Sequence, residues 1–131
     1  MTKISLNADI AENYQADKVY QPGTVLMIGG SQEVTVADPD TTAVAGVVST
    51  SPATVMNGQL SGTNVVPVAL IGRVPCNVIG PVKKGDLLIS AGFGYAKPSP
   101  HAIITGQLVG KALQDFAING KGVIEVLVGR V

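Results

Sequence analysis

Val66-Pro-Val-Ala-Leu-Ile-Gly-Arg-Val74 and Ile124-Glu-Val-Leu-Val-Gly-Arg-Val131 share one pattern, an apolar run closing on Gly-Arg-Val. The match extends backward from both. Pro22-Gly-Thr-Val-Leu26 and Val44-Ala-Gly-Val-Val48 precede the first copy, and Lys84-Gly-Asp-Leu-Leu88 and Leu108-Val-Gly-Lys-Ala112 precede the second. Gly85 follows Gly23 by 62 residues, Gly110 follows Gly46 by 64, and Arg130 follows Arg73 by 57. Three anchors in one order at nearly constant spacing predict a β-motif used twice, with the slack in loops such as 57–64. The two halves are placed at 20–74 and 80–131 of a single domain, and residues 1–19 stand outside them as an N-terminal segment.

Local signals fill in this frame. Ile10, Tyr14 and Asp17 share a face at helical spacing, in a segment too short to be helical unaided. Tyr20-Gln-Pro-Gly23 is a turn, because Pro presets φ and Gly supplies the positive φ that follows. Thr24–Ile28 is a strand, Gly29-Gly30 a two-residue hairpin, and Glu33–Val36 the return strand. Ala43–Thr50 is a strand with Gly46 at a bulge or close backbone contact, and Ser51-Pro52 ends it. Residues 53–64 form an exposed excursion. Val65–Gly72 is a long buried strand in which Pro67 demands an edge, a bulge or an interrupted ladder, and Arg73–Ile79 continues it. Gly80-Pro81 and Lys83–Asp86 are turns, Leu87–Ile89 a strand, and Gly92–Ala96 a hairpin and return. After the break at Pro98–Pro100, Ile103–Leu113 holds a strand that runs toward a helical turn at 111–114. Asn119-Gly120 is a hairpin turn and Val123–Val131 the closing strand. Short strands, frequent glycine turns and the lack of an amphipathic helix predict an all-β barrel or sandwich built from two pseudo-repeated halves.

Composition narrows the function classes. The chain of 131 residues has 46% hydrophobic and 14% charged residues and a formal net charge of zero. About a quarter charged is usual, so this chain has little charge to keep it soluble alone, and surface buried against copies of itself is expected. Nucleic acid is disfavoured as a partner: only Lys83-Lys84 adjoin, and aromatic residues make up 4% with no Trp. Apolar runs are broken by Pro or Gly well short of the ~20 residues of a membrane span. Met1-Thr-Lys-Ile-Ser-Leu6 lacks the apolar core of a signal peptide. Cys76 has no second cysteine to pair with and follows a proline in an apolar run, which points to a buried inert thiol in a reducing compartment.

Chemistry-bearing patterns are weak. His101 lies between Pro100 and Ala102, far from Cys76, so no metal-ligand spacing exists and no metal or cofactor is expected. Gly92-Phe-Gly94 lacks the following helix that phosphate cradling requires. A triad assembled from Ser49 or Ser51, His101 and Asp86 is one arbitrary choice among many hydroxyl residues. Asp9 and Glu12 are the nearest approach to paired carboxylates, and a solvated or subunit-contacting face is the favoured reading. Arg73 and Arg130, after equivalent apolar strands, are read as closing strand ends or meeting the acidic residues of a neighbouring copy. Asp9, Glu12, Tyr14, Arg73 and Arg130 are therefore candidate subunit contacts, and no residue is assigned a catalytic role.

Asp9-Ile-Ala-Glu-Asn-Tyr14, Pro22-Gly-Thr-Val25, Val44-Ala-Gly-Val-Val-Ser49 with Pro52, Val68–Pro75, Lys84–Leu88, Gly94-Tyr-Ala96 and Gly110–Leu113 fall in sequence. As an ordered set, from Asp9 to Val131, they resemble a β-rich domain of bacteriophage tail-fibre and appendage proteins. The resemblance implies a virion structural domain assembled in the host cytoplasm, commonly trimeric, contacting other virion proteins. A more distant likeness is to the autoproteolytic chaperone domains of phage appendages, which share the acidic-aromatic opening and the Gly-Val-Val-Ser word. The Gly85-Asp86 turn is also similar to that of cradle-loop barrels, although the first copy has Gly23-Thr24. Met1 stands close to the motif, which favours a stand-alone virion protein, such as a capsid decoration protein, or an excised domain. A non-enzymatic homo-oligomer is expected. The rivals are a self-cleaving intramolecular chaperone and a module binding host-surface glycans or receptors, the latter drawing on Tyr14, Tyr20, Phe93, Tyr95 and Phe116.

Overall fold

The computed structural model describes residues 8–129, and no helix forms among them. Ten strands follow in chain order: β1 (Asp9–Gln15), β2 (Val25–Ile28), β3 (Val34–Val36), β4 (Val44–Val48), β5 (Thr54–Met56), β6 (Val65–Ile79), β7 (Leu87–Gly92), β8 (Tyr95–Pro98), β9 (Gly110–Ala112) and β10 (Lys121–Val128). The 15-residue β6 joins everything. Its first part, Val65–Gly72, pairs antiparallel with β1, and its second part, Gly72–Ile79, pairs antiparallel with β10.

Each part of β6 belongs to its own ring. The second ring runs from β6 through β10, β9, β7 and β8 and closes where Val78 meets Ala96 in parallel. This is a closed five-stranded barrel. The first ring runs from β1 through β6, β4, β2 and β3. It returns to β1 at the parallel bridge Ala16–Val34, where the Asp17 N–H donates to the Val34 carbonyl at 3.3 Å.

The registers of the two rings correspond. Leu26 pairs with Val36 and Gly46, and Leu88 with Pro98 and Gly110. Val48 pairs with Val68 as Ala112 pairs with Val126. Glu12 pairs with Val68 as Val74 pairs with Val126. The turns correspond as well. Gly23 (φ 91°) and Gly85 (φ 96°) each take the left-handed conformation that glycine adopts without strain. The Gly23 N–H donates to Val48 O at 2.9 Å, and Val48 N–H to Thr24 O at 2.9 Å; Gly85 N–H donates to Ala112 O at 2.8 Å, and Ala112 N–H to Asp86 O at 2.9 Å. The duplication is real. The shortened spacing near its end has two causes: Val48 to its partner Val68 spans 20 residues where Ala112 to Val126 spans 14, and the β1–β6 ladder skips Leu70, one residue more, whereas β6–β10 runs without a break.

Gly46 and Gly110 serve one purpose. A Cβ on Gly46 would lie 2.6 Å from the Ala69 carbonyl oxygen, and one on Gly110 2.5 Å from that of Leu127. At both places strands cross too closely for any side chain. Burial follows the repeat too. One apolar cluster contains Ala16, Leu26, Val34, Val48, Val66 and Val68, with Tyr14, Tyr20 and Leu70 packed on it. Their register counterparts Val78, Leu88, Ala96, Ala112, Ile124 and Val126, with Cys76, Val82 and Val128, lie in the other, which also takes in Val25, Ala37, Val47 and Ala69 from the first half.

Several expectations need correction. Within the N-terminal segment, Asp9–Ala16 pair into the first ring of the duplication. β1 is the first strand of the first ring, so Ile10, Tyr14 and Asp17 are not on a helix: pairing with β6 supplies hydrogen bonds that an isolated helical turn lacks. Residues 1–7 lie outside those described. The excursion 53–64 contains β5, which runs parallel to β1. Between Ile103 and Leu113 only Gly110–Ala112 is strand, and no helical turn forms at 111–114. The β2–β3 connection spans 29–33, with Gly29 N–H donating to Glu33 O at 3.1 Å, in place of a two-residue turn. Asn119-Gly120 leads into β10 from a loop and joins no hairpin. Pro67 fits an interrupted ladder: its carbonyl accepts from Ser49 N–H at 2.9 Å, just past the end of β4. Its counterpart Glu125 accepts from Leu113 N–H at 3.0 Å, and the Glu125 N–H, which Pro67 lacks, is taken by Gln114 Oε1 at 2.7 Å.

Candidate functional site

The polar residues of β1 and the turn after it converge on the first ring. Asp9 opens β1 beside Gly72, and it is only 6% exposed. Its main-chain carbonyl accepts from Ala53 N–H at 2.8 Å, and the preceding Ala8 carbonyl accepts from Arg73 N–H at 3.1 Å. Gly72 (φ 117°) leaves room for this approach, since a Cβ there would run into the Ala8 carbonyl oxygen. Burial raises the Asp9 carboxyl pKa above the ordinary aspartate value, and the Ser49 hydroxyl offsets part of that rise. Asp9 Oδ2 and Ser49 Oγ are both buried, without a well-formed hydrogen bond to either. The result is a carboxyl that gives up its proton less readily than an exposed aspartate, between a hydroxyl and a backbone turn.

Farther along, Tyr14 donates to Glu12 Oε1 at 3.1 Å, and burial together with that acceptor raises the Tyr14 pKa. Tyr20 donates to Asp17 Oδ1 at 2.6 Å, Thr35 Oγ1 donates to Asp17 Oδ2 at 2.9 Å, and Val36 N–H donates to the Tyr20 hydroxyl at 3.1 Å. Burial alone would raise the Asp17 pKa; the hydroxyls of Tyr20 and Thr35 outweigh it and hold the carboxyl below its ordinary range. Burial and the bond to Asp17 raise the Tyr20 pKa in turn.

The remaining candidates are scattered. Arg73 is exposed in the middle of β6, so it closes no strand end, and Arg130 lies outside the described residues. Glu12 and Tyr14 face each other within one chain. His101 is exposed, and its Nδ1 lies 2.8 Å from the Ala102 carbonyl oxygen. Cys76 is buried, which pushes its thiol up to about 12. Among the described residues, no group of three or more His, Cys, Asp or Glu is placed to hold a metal ion. No helix among them is long and apolar enough to cross a membrane. Sequence reasoning named Asp9 but missed that Ser49 faces it, because the pair meets only through the β1–β6–β4 ladder.

No family model and no curated protein matches this chain. The fold does match solved structures. The C-terminal fragment of bacteriophage phi29 gene product 12 superposes with a TM-score of 0.65 at 16% identity, covering 92% of this chain and 99% of the fragment. The pre-mature form of bacteriophage phi29 gene product 12 gives 0.68 at 15% identity, covering 98% of this chain and 22% of the longer one. This chain thus shares the fold of that C-terminal fragment and spans about 22% of the length of the pre-mature chain.

Proposed function

We propose that this chain is a bacteriophage virion domain of the tail-fibre and appendage kind, a structural, homo-oligomeric unit that turns over no external substrate. The observation that carries the reading is the end-to-end match with the C-terminal fragment of a phage gene product. The ordered sequence words point independently the same way. Trimeric assembly, contacts with other virion proteins, and placement on a fibre or as capsid decoration belong to the proposal.

An apolar strip supports assembly. Ile10 and Ile71 are register partners, 39% and 45% exposed, and Met56, 44% exposed, lies two places along β5 from Ile10's partner Thr54. Light scattering coupled to size exclusion tests it, with about three times the 13.3 kDa chain mass expected. Deleting the residues before Tyr20 would open the first ring, so the informative variant is Met56→Glu, which should lower the assembly state while the fold persists. A wild-type monomer at micromolar concentration would sink the reading.

Asp9 favours a second reading, self-processing at the start of β1. A buried carboxyl whose pKa is raised, next to a serine hydroxyl and an Ala8 carbonyl fixed by the Arg73 N–H, suits general acid–base assistance to main-chain hydrolysis, in which water adds to a carbonyl, the C–N bond breaks and the leaving amide nitrogen takes the proton. The solved relative known in a pre-mature form and as a C-terminal fragment is consistent with this reading. Intact mass after prolonged incubation decides it. A discrete self-generated fragment lost in both Asp9→Asn and Ser49→Ala supports processing, and an unchanged wild-type mass excludes it.

A further inference from the structure

Asn57-Gly58 and Asn119-Gly120 are the same pair of residues in two places, and the fold treats them differently. Glycine after asparagine lets the main-chain nitrogen approach the side-chain amide carbon, because no Cβ shields that nitrogen and the backbone turns freely. What then decides the reaction is how firmly each pair is held. Asn57 is held. It follows β5 with φ at +57°, its Nδ2 donates to the Asn13 carbonyl of β1 at 3.2 Å, and its own carbonyl accepts from Leu60 N–H at 3.1 Å. Attack on its amide carbon would have to break the bond to Asn13 and rearrange that turn.

Asn119 is free. A tight Asn-Gly hairpin would fix it between two paired strands, but here the pair lies in the loop before β10. Asn119 is exposed, and among the described residues its side chain makes no hydrogen bond. The Gly120 N–H is likewise unbonded among them. A Cβ on Gly120 would meet only Ile118 Cγ2, at 3.9 Å, so nothing crowds the nitrogen. Ile118 itself is 63% exposed. The Gly120 carbonyl alone is engaged, accepting from Gly80 N–H at 2.8 Å beside the first rung of the β6–β10 ladder, where Lys121 pairs with Ile79.

We propose that this fold selects Asn119 for spontaneous deamidation and protects Asn57. The Gly120 nitrogen gives up its proton and bonds to Asn119 Cγ, the Cγ–Nδ2 bond breaks, and ammonia leaves with a proton. One water then opens the cyclic imide at either carbonyl, giving aspartate or isoaspartate at that position. Each conversion places a negative charge on a chain whose formal net charge is zero. That charge stands two residues from Lys121, whose ammonium lies 5.1 Å from the centre of the Tyr95 ring. The isoaspartate form also lengthens the main chain just before Gly120 and so draws its carbonyl away from Gly80. The modification therefore acts where β10 enters the second ring, and it depends on neither reading of function.

The test incubates the full chain at pH 8 and pH 6 and follows both sites by peptide mass mapping with an isoaspartate assay. Conversion of Asn119 is expected, faster at pH 8 because the attacking nitrogen must lose its proton, and at least tenfold ahead of Asn57. In concentrated denaturant the two sites should convert at similar rates. Gly120→Ala, whose added Cβ has room, should slow conversion at least tenfold. Asn119→Gln, which removes the five-membered ring closure, should all but abolish it at an unchanged melting temperature. In the aged protein the Gly80 amide should exchange with solvent faster than in fresh protein. Equal rates at the two sites in the folded chain, or an intact Asn119, overturns the proposal. So does unchanged conversion in Gly120→Ala, which would exclude the Gly120 nitrogen. A tenfold preference for Asn119 that persists in denaturant also overturns it, since the fold would then not be its cause.

Discussion

The two rings share ladders, turns and glycines but differ in what fills them. Along β1 and the turn after it, the first ring presents Glu12, Tyr14 and Tyr20; at the corresponding places the second has Val74, Cys76 and Val82, all buried. Where the first hairpin ends in Ser31 and Glu33, the second displays Phe93 and Tyr95. Backbone geometry therefore tolerates either chemistry, provided that Gly23, Gly46, Gly85 and Gly110 keep the turns and crossings open. The second ring is an apolar barrel with its special residues at a hairpin tip. The first carries titratable groups against its own wall.

Removing one core leucine from each ring tests how independent they are. Leu26→Ala and Leu88→Ala delete fully buried counterparts, and each should cost about 3 kcal/mol. Because β6 runs through both rings, a single unfolding transition is expected in either variant by calorimetry. Two separated transitions would show that the rings are distinct cooperative units despite the shared strand.

The acidic residues of the first ring should respond to pH with opposite signs. Asp17, whose folded pKa is depressed, contributes stability above its unfolded pKa that is lost as pH falls through the folded value. Asp9, whose folded pKa is raised, contributes stability below its unfolded pKa that is lost as pH rises through the folded value. At neutral pH, Asp17→Asn should therefore destabilise by about 1 kcal/mol, and Asp9→Asn should stabilise by about the same. Denaturant titrations at pH 7 and pH 3 read both effects, and the stabilisation by Asp9→Asn should shrink at the lower pH. An Asp9→Asn variant weaker than the wild type at pH 7 would mean that the carboxylate is paired after all, which would also remove the case for self-processing.

Glycine left the clearest marks in the sequence. A residue needing positive φ, or lying against a neighbouring carbonyl, admits almost nothing else, so Gly23 with Gly85 and Gly46 with Gly110 announced the duplication from primary structure. The apolar words of β6 and β10 survived because both are buried. Membership of β1 in the first repeat was not legible: Asp9–Tyr14 and Ile71–Cys76 share no residue type at equivalent places, and only their pairing with β6 and β10 reveals the equivalence. β5 was hidden because its three residues are exposed and short, so no alternation of burial marks them. The Asp9–Ser49 contact was hidden for a different reason, since both residues are buried and meet only through the β1–β6–β4 ladder. Turn chemistry and apolar period act between neighbours in the chain, and the sequence determined them alone. Ring closure, ladder register and the meeting of residues forty or more positions apart depend on which strands pair, and the tertiary structure decided those.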